Sequence, residues 1–186
     1  MRTINKIVIH HSLTSRTQDV KKAISSFNRT HKERLHPETN GCGLHIAYHY
    51  IIGNNGEIEK TRPESEVGYH ASNIKVNKES IGICFVGDFD KDFPSQKQIE
   101  SVITLCQDIC LRYKITEVEG HRKYAKKSCP GLNISDDFIH SLLKKPEPVD
   151  PIKSKALERK ICNNLNWDKP LIKYETIVIL DRLGLI

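Results

Sequence analysis

Residues 120–130 read GHRKYAKKSCP, which places an imidazole, His121, and a thiol, Cys129, on one short segment. Both side chains are preferred zinc ligands. Arg122, Lys123, Lys126 and Lys127 lie between them. A thiol in so positive a field is expected to have a lowered pKa, which favours the ligand form. A third ligand has to come from elsewhere. His10, at the end of the apolar run in IVIHHS (7–12), is the best candidate. Three protein ligands with the fourth position open is the pattern of a catalytic zinc site, whereas structural sites close with four. The residue types also permit a plainer reading, with His121 a hydrogen-bonded loop histidine and Cys129 a small buried hydrophobe.

The elements that must position these residues follow from periodicity and turn chemistry. Residues 7–9 read as a short buried strand, a rigid support that leaves His10 and His11 at the sheet rim. Val20, Ala23, Ile24 and Phe27 recur at helical spacing and predict a core-packing helix over 17–31. HPETNGCG (36–43) breaks regular structure, so His36, Cys42 and His45 are expected on an exposed loop and not in a second metal site. IAYHYII (46–52), the turn NNG (54–56) and EIEKT (57–61) form a hairpin signal, with Tyr48 and Tyr50 expected on one face and His49 and Ile51 on the other. SIGICFVG (80–87) reads as a central strand. Ser95 opens a helix through a Ser-x-x-Gln capping box, followed by the stripe Ile99, Val102, Ile103, Cys106, Ile109, Cys110 and Tyr113. Residues 115–119 make a strand that delivers His121, and 135–145 a closing helix buried through Phe138, Ile139, Leu142 and Leu143. This βα alternation implies an α/β domain with a mixed central sheet flanked by helices.

With 186 residues the chain fits one domain plus a small appendage. The expected boundaries are a catalytic domain over 1–145, a proline-rich linker PEPVDP at 146–151, and a short helical segment of unassigned role over 152–186. The formal charge of +6 favours an anionic partner. The basic residues are scattered, with no long Lys/Arg tract or nucleic-acid-binding motif, so no nucleic acid partner is expected. Six cysteines with no disulfide spacing fit a reduced protein made in the cytosol. MRTINKIVIHHS lacks the apolar core of a signal peptide, and no run is long enough for membrane insertion.

Five blocks, IVIHHS, AYHYII (47–52), EVGYHA (66–71), SIGICFVG and HRKYAKKSCP (121–130), together resemble the zinc-dependent N-acetylmuramoyl-L-alanine amidases, a superfamily shared with the peptidoglycan recognition proteins. Within it the chain is most similar to the phage lysozyme-amidases, or endolysins. Order and spacing match over roughly residues 5–145. The resemblance implies the same α/β fold and one Zn²⁺ held by His10, His121 and Cys129, with alignment selecting His10 over His11. It implies catalytic roles for Tyr48 and Lys127 and a cleft-lining, substrate-binding role for His70. Other bacterial members carry a catalytic glutamate where this chain has Cys84, a departure that points to the phage subgroup, which uses Tyr and Lys.

The implied activity is hydrolysis of the amide between N-acetylmuramic acid and L-alanine in bacterial peptidoglycan. The alternative is a non-catalytic peptidoglycan-binding module of the same fold. Such receptors typically lose a zinc ligand, most often the cysteine, and all three are present here. The enzyme would be made in the host cytoplasm and reach the wall after release, in phages usually through a separate membrane-permeabilising protein.

Overall fold

The computed structural model describes residues 2–35 and 38–143. His36, the expected linker and the segment over 152–186 lie outside them. The core strand is β1, Lys6–His11, whose Ile7, Val8 and Ile9 are completely buried. Burying such side chains contributes about 1.5–3 kcal/mol each, enough to anchor the strand that carries His10.

Helix α1, Val20–Arg34, begins where the Asp19 carboxylate accepts from the amides of Lys21 and Lys22 at 3.0 and 3.1 Å. This cap explains why the helix starts three residues after the expected position at 17. The hairpin pairs β2, Tyr50–Ile52, with β3, Ile58–Lys60. Helix α2, Ile74–Glu79, leads directly into β4, Ser80–Phe85. Helix α3, Gln96–Arg112, opens with the expected capping box between Ser95 and Gln98, and buries Val102, Leu105, Cys106 and Ile109. Strand β5, Glu117–Gly120, runs into a 3₁₀ turn, His121–Lys123, and α4 spans Asp136–Ser141 behind a Ser135 cap. The closing helix is therefore shorter than the 135–145 expected.

The sheet order is β3-β2-β4-β1-β5. The pairs β1/β4, β1/β5 and β2/β4 are parallel, and β2/β3 is antiparallel. This is the expected mixed sheet, with β4 central. Because side chains alternate across a sheet, the register His10↔Cys84 and Cys84↔Ile51 puts these three on one face. On that face Val20 and Ala23 of α1 pack with Ile46, Ile51, Cys84 and Val86, joined by Phe27 and Tyr48. Farther along it Val8 packs with Ala71, Val76 and Tyr124. Tyr50 faces the other way, where its hydroxyl donates to Glu64 at 2.6 Å.

Tyr48 and Tyr50 thus do not share a face, contrary to the expected alternation. The His49 carbonyl accepts from both Thr61 N and Arg62 N, at 2.9 and 3.3 Å. That doubled pairing interrupts the strand, so β2 starts only at Tyr50 and the two-residue period does not extend back to Tyr48. Among the described residues, no helix is long and apolar enough to cross a membrane.

Candidate metal centre and active site

Strand register brings the two histidines together. Ile9 lies opposite Gly120 in the parallel β1/β5 pair, so the next residues, His10 and His121, emerge side by side at the C-terminal rim of the sheet. Their ring centroids are 4.5 Å apart. The thiol arrives on the loop after the 3₁₀ turn. Arg122 N donates to Cys129 O at 2.6 Å, closing the loop on itself. Asp90 clamps its far side, accepting from Ser128 Oγ at 2.7 Å and from Leu132 N at 2.9 Å. No local pattern around Asp90 marks that clamp, because both donors are some forty residues away in sequence.

His10, His121 and Cys129 place their ligand atoms within 4.8 Å of one another, the group of His, Cys, Asp or Glu side chains that converges in this way among the described residues. Cys129 Sγ lies 3.8 Å from His10 Nδ1. A tetrahedral zinc with Zn–S near 2.3 Å and Zn–N near 2.0–2.1 Å separates S from N by about 3.6 Å, so the spacing fits. His121 Nε2 is buried without a hydrogen-bond partner. A buried imidazole nitrogen without a partner is costly, and a metal ion would satisfy it. Donor set, spacing and orphaned nitrogen all fit zinc.

His11 points elsewhere: its Nδ1 accepts from Phe89 N at 3.2 Å, on the opposite face of β1. Of the loop residues, Cys42 is exposed and His45 buried, and neither joins the three.

The electrostatics correct one expectation. Burial pushes the Cys129 thiol up to about 11, and Lys127 and Arg122 oppose that shift without overcoming it. The positive field is real but smaller than the cost of burying a thiolate. Cys129 is therefore a thiol at neutral pH in the metal-free chain, and metal binding has to displace its proton. Burial, with the neighbouring Lys127 and His11, lowers His121 to about 4. Burial likewise holds His10 well below the usual histidine range, with His70, His121 and His11 acting in the same direction. Both rings are neutral at pH 7, as ligation requires.

Tyr48 lies beside this group, its ring 5.1 Å from that of His10 and in edge contact with Phe27 and His31. Burial raises its phenol well above the usual value, and the Cys84 thiol beside its hydroxyl adds to that. Cys84 itself is fully buried and faces the site without offering a carboxylate. Lys127 is exposed, and its charge is felt by both His121 and Cys129. Lys126 is exposed as well, while Lys123 is bound to Glu119. His70 is 6% exposed, with Nδ1 3.0 Å from His10 Nε2 and Nε2 3.3 Å from Ser80 Oγ. Ser80, the first residue of a buried strand, carries no signal in the sequence that would single it out.

A mixed α/β sheet thus gathers at its rim two imidazoles and a thiol that could hold a metal ion, with a tyrosine and a lysine beside them. The chain belongs to the N-acetylmuramoyl-L-alanine amidase family (Amidase_2), whose pattern matches residues 1–132. Among its relatives, the endolysin of Escherichia phage T7 is 31% identical over 134 residues, which is 69% of this chain and 81% of the relative. The peptidoglycan-recognition protein SC2 of Drosophila melanogaster is 32% identical over 96 residues, about half of each chain. Among solved structures, the N-acetylmuramoyl-L-alanine amidase LysC from Clostridium intestinale URNW superposes with a TM-score of 0.64 at 29% identity, covering 77% of this chain and 87% of LysC.

Proposed function

We propose that this chain is a zinc-dependent N-acetylmuramoyl-L-alanine amidase of the phage or prophage endolysin type. It would hydrolyse the amide between N-acetylmuramic acid and L-alanine in bacterial peptidoglycan. The observation that carries this reading is the convergence of the ligand atoms of His10, His121 and Cys129 within 4.8 Å of one another, beside a buried His121 Nε2 that has no hydrogen-bond partner. When bound, zinc polarises the scissile carbonyl and lowers the pKa of water towards about 7, making hydroxide available at neutral pH. His10, His121 and Cys129 would hold it.

The chain's own residues supply the rest. The Lys127 ammonium, exposed beside the ligands, would hold the negative charge that develops on the carbonyl oxygen during attack. The Tyr48 phenol, kept protonated by its surroundings, is a hydrogen-bond donor throughout the neutral range and would hold the attacking water or move a proton at its hydroxyl. The loop clamped by Asp90 and the end of β1 keep the donor atoms in place before substrate arrives, which limits reorganisation during the reaction. Peptidoglycan is the partner, and the wall, reached after release from the host cytoplasm, is the place of action.

Metal analysis of the purified full chain tests this reading. The expected result is one zinc per chain, lost to a strong chelator together with activity and restored by adding Zn²⁺. A fully active chain that holds no metal would overturn it.

A further inference from the structure

His10 can serve as a ligand through Nδ1 only if that nitrogen is free of hydrogen, and the surrounding hydrogen bonds determine where its proton sits. Ser80 Oγ lies 2.6 Å from the Val76 carbonyl of α2, which can only accept, so the single hydroxyl proton is donated there. Ser80 Oγ is then an acceptor for His70 Nε2, 3.3 Å away, and this nitrogen must carry the His70 proton. In the neutral ring His70 Nδ1 is left with a lone pair. It faces His10 Nε2 at 3.0 Å, so His10 donates from Nε2. What remains on His10 is an unprotonated Nδ1, on the side of Cys129 Sγ. The order Val76 carbonyl, Ser80, His70, His10 thus runs in one direction only.

The fold makes a socket for the His70 ring. A Cβ on Gly82 would lie 2.5 Å from both Cγ and Cδ2 of that ring, and one on Gly68 would lie 2.7 Å from Cδ2. Any larger residue at either position would displace the ring. Gly82 is on β4 beside Val8 of β1, so the space is cut into the sheet face that carries His10.

We propose that His70 is a positioning residue: with Ser80 it fixes His10 in the Nε2-protonated form and aims Nδ1 at the metal position. The assignment rests on the zinc reading above. It differs from the cleft-lining role implied by the resemblance, since both ring nitrogens of His70 face protein groups. Hydrogen-bonded supports of this kind typically change metal affinity by about 10–100-fold when removed.

The test is zinc affinity of the full chain, measured by competition with a chromophoric chelator, together with ¹⁵N NMR of the metal-free imidazoles. His70→Ala is expected to weaken zinc binding at least tenfold. His70→Asn, whose amide oxygen occupies the place of Nδ1 and accepts from His10 Nε2–H, is expected to recover most of that loss. In the wild type His10 should show a single form protonated at Nε2, and in His70→Ala an averaged pair. Should His70→Ala fail to fold, Ser80→Ala, which removes one oxygen atom, is expected on its own to weaken zinc binding at least threefold. Wild-type affinity in the folded His70→Ala variant, or in Ser80→Ala where that variant does not fold, would overturn the proposal. So would His10 protonated at Nδ1 in the wild type. If the wild type binds zinc as described yet releases no L-alanine amino termini from peptidoglycan, the amidase reading fails and the positioning role stands. If the wild type is active and the variants bind zinc normally, only the positioning role fails. A wild type that takes up no zinc overturns both.

Discussion

Replacing Glu64 by Gln tests how the face of the sheet opposite the metal group is held together. The Glu64 carboxylate is 8% exposed. It accepts from Tyr50 Oη at 2.6 Å, Tyr113 Oη at 2.8 Å and Arg112 Nη2 at 2.8 Å, and its ion pair with Arg112 ties α3 to the loop after β3. Burial by itself would raise this carboxyl, but the bonds from Arg112, Tyr50 and Tyr113 outweigh it and hold the group down at about 2, against an ordinary 4.5. That difference corresponds to on the order of 3 kcal/mol of stability. Solvent around Arg112, which is 38% exposed, trims it to about 2–3 kcal/mol.

The pKa is depressed in the folded state, so the contribution is complete above about pH 4.5 and is lost as pH falls towards 2. Urea unfolding of the wild type and Glu64→Gln, both with chelator present, should therefore differ by about 2–3 kcal/mol at pH 7. The gap should narrow by about 1–2 kcal/mol at pH 3. Other carboxylates titrate in both proteins and cancel in the comparison. A gap that is absent at pH 7, or that does not change between pH 7 and pH 3, would refute this account of the network.

Lys127→Ala should lower kcat by on the order of 10²–10³ with zinc content unchanged, because the lost charge acts on the transition state, and Lys127→Arg should recover part of the loss. Lys126→Ala is the control and should stay near wild type under single-turnover cleavage of a defined muropeptide; a dead Lys126→Ala beside an active Lys127→Ala would reassign the lysine. Tyr48→Phe should likewise lower kcat and keep its zinc, and an unchanged rate would remove the hydroxyl from the chemistry. On the proposal that the catalytic domain ends at 145, a chain truncated there should keep zinc and cleave soluble muropeptide while lysing whole cells less well; an insoluble product would place the remaining residues in the domain's core.

Much of the fold was legible because apolar runs and caps act locally. The buried run before His10, the NNG turn, the Ser95 capping box and the βα alternation each give an element at the expected place. Two departures arose from pairing or burial that the residues themselves do not display. The Tyr48 alternation failed because Thr61 and Arg62 both bond the His49 carbonyl. The Cys129 expectation weighed nearby lysines, which can be read along the chain, and not burial, which cannot. The three metal-binding candidates could be named from residue types and family blocks. Their meeting at one rim depends on the Ile9↔Gly120 register, and the support of His10 on His70 and Ser80, sixty and seventy residues on, depends on the folded sheet.

The most direct measurement is the appearance of new L-alanine amino termini when the zinc-loaded full chain is incubated with purified peptidoglycan, run beside Cys129→Ala with zinc determined on both. The account predicts free L-alanine amino termini and intact glycan strands from the wild type. It predicts neither zinc nor product from Cys129→Ala, since two remaining ligands do not hold the metal tightly. Wild-type product formation by a zinc-free Cys129→Ala, or cleavage by the wild type at any other bond, would contradict it.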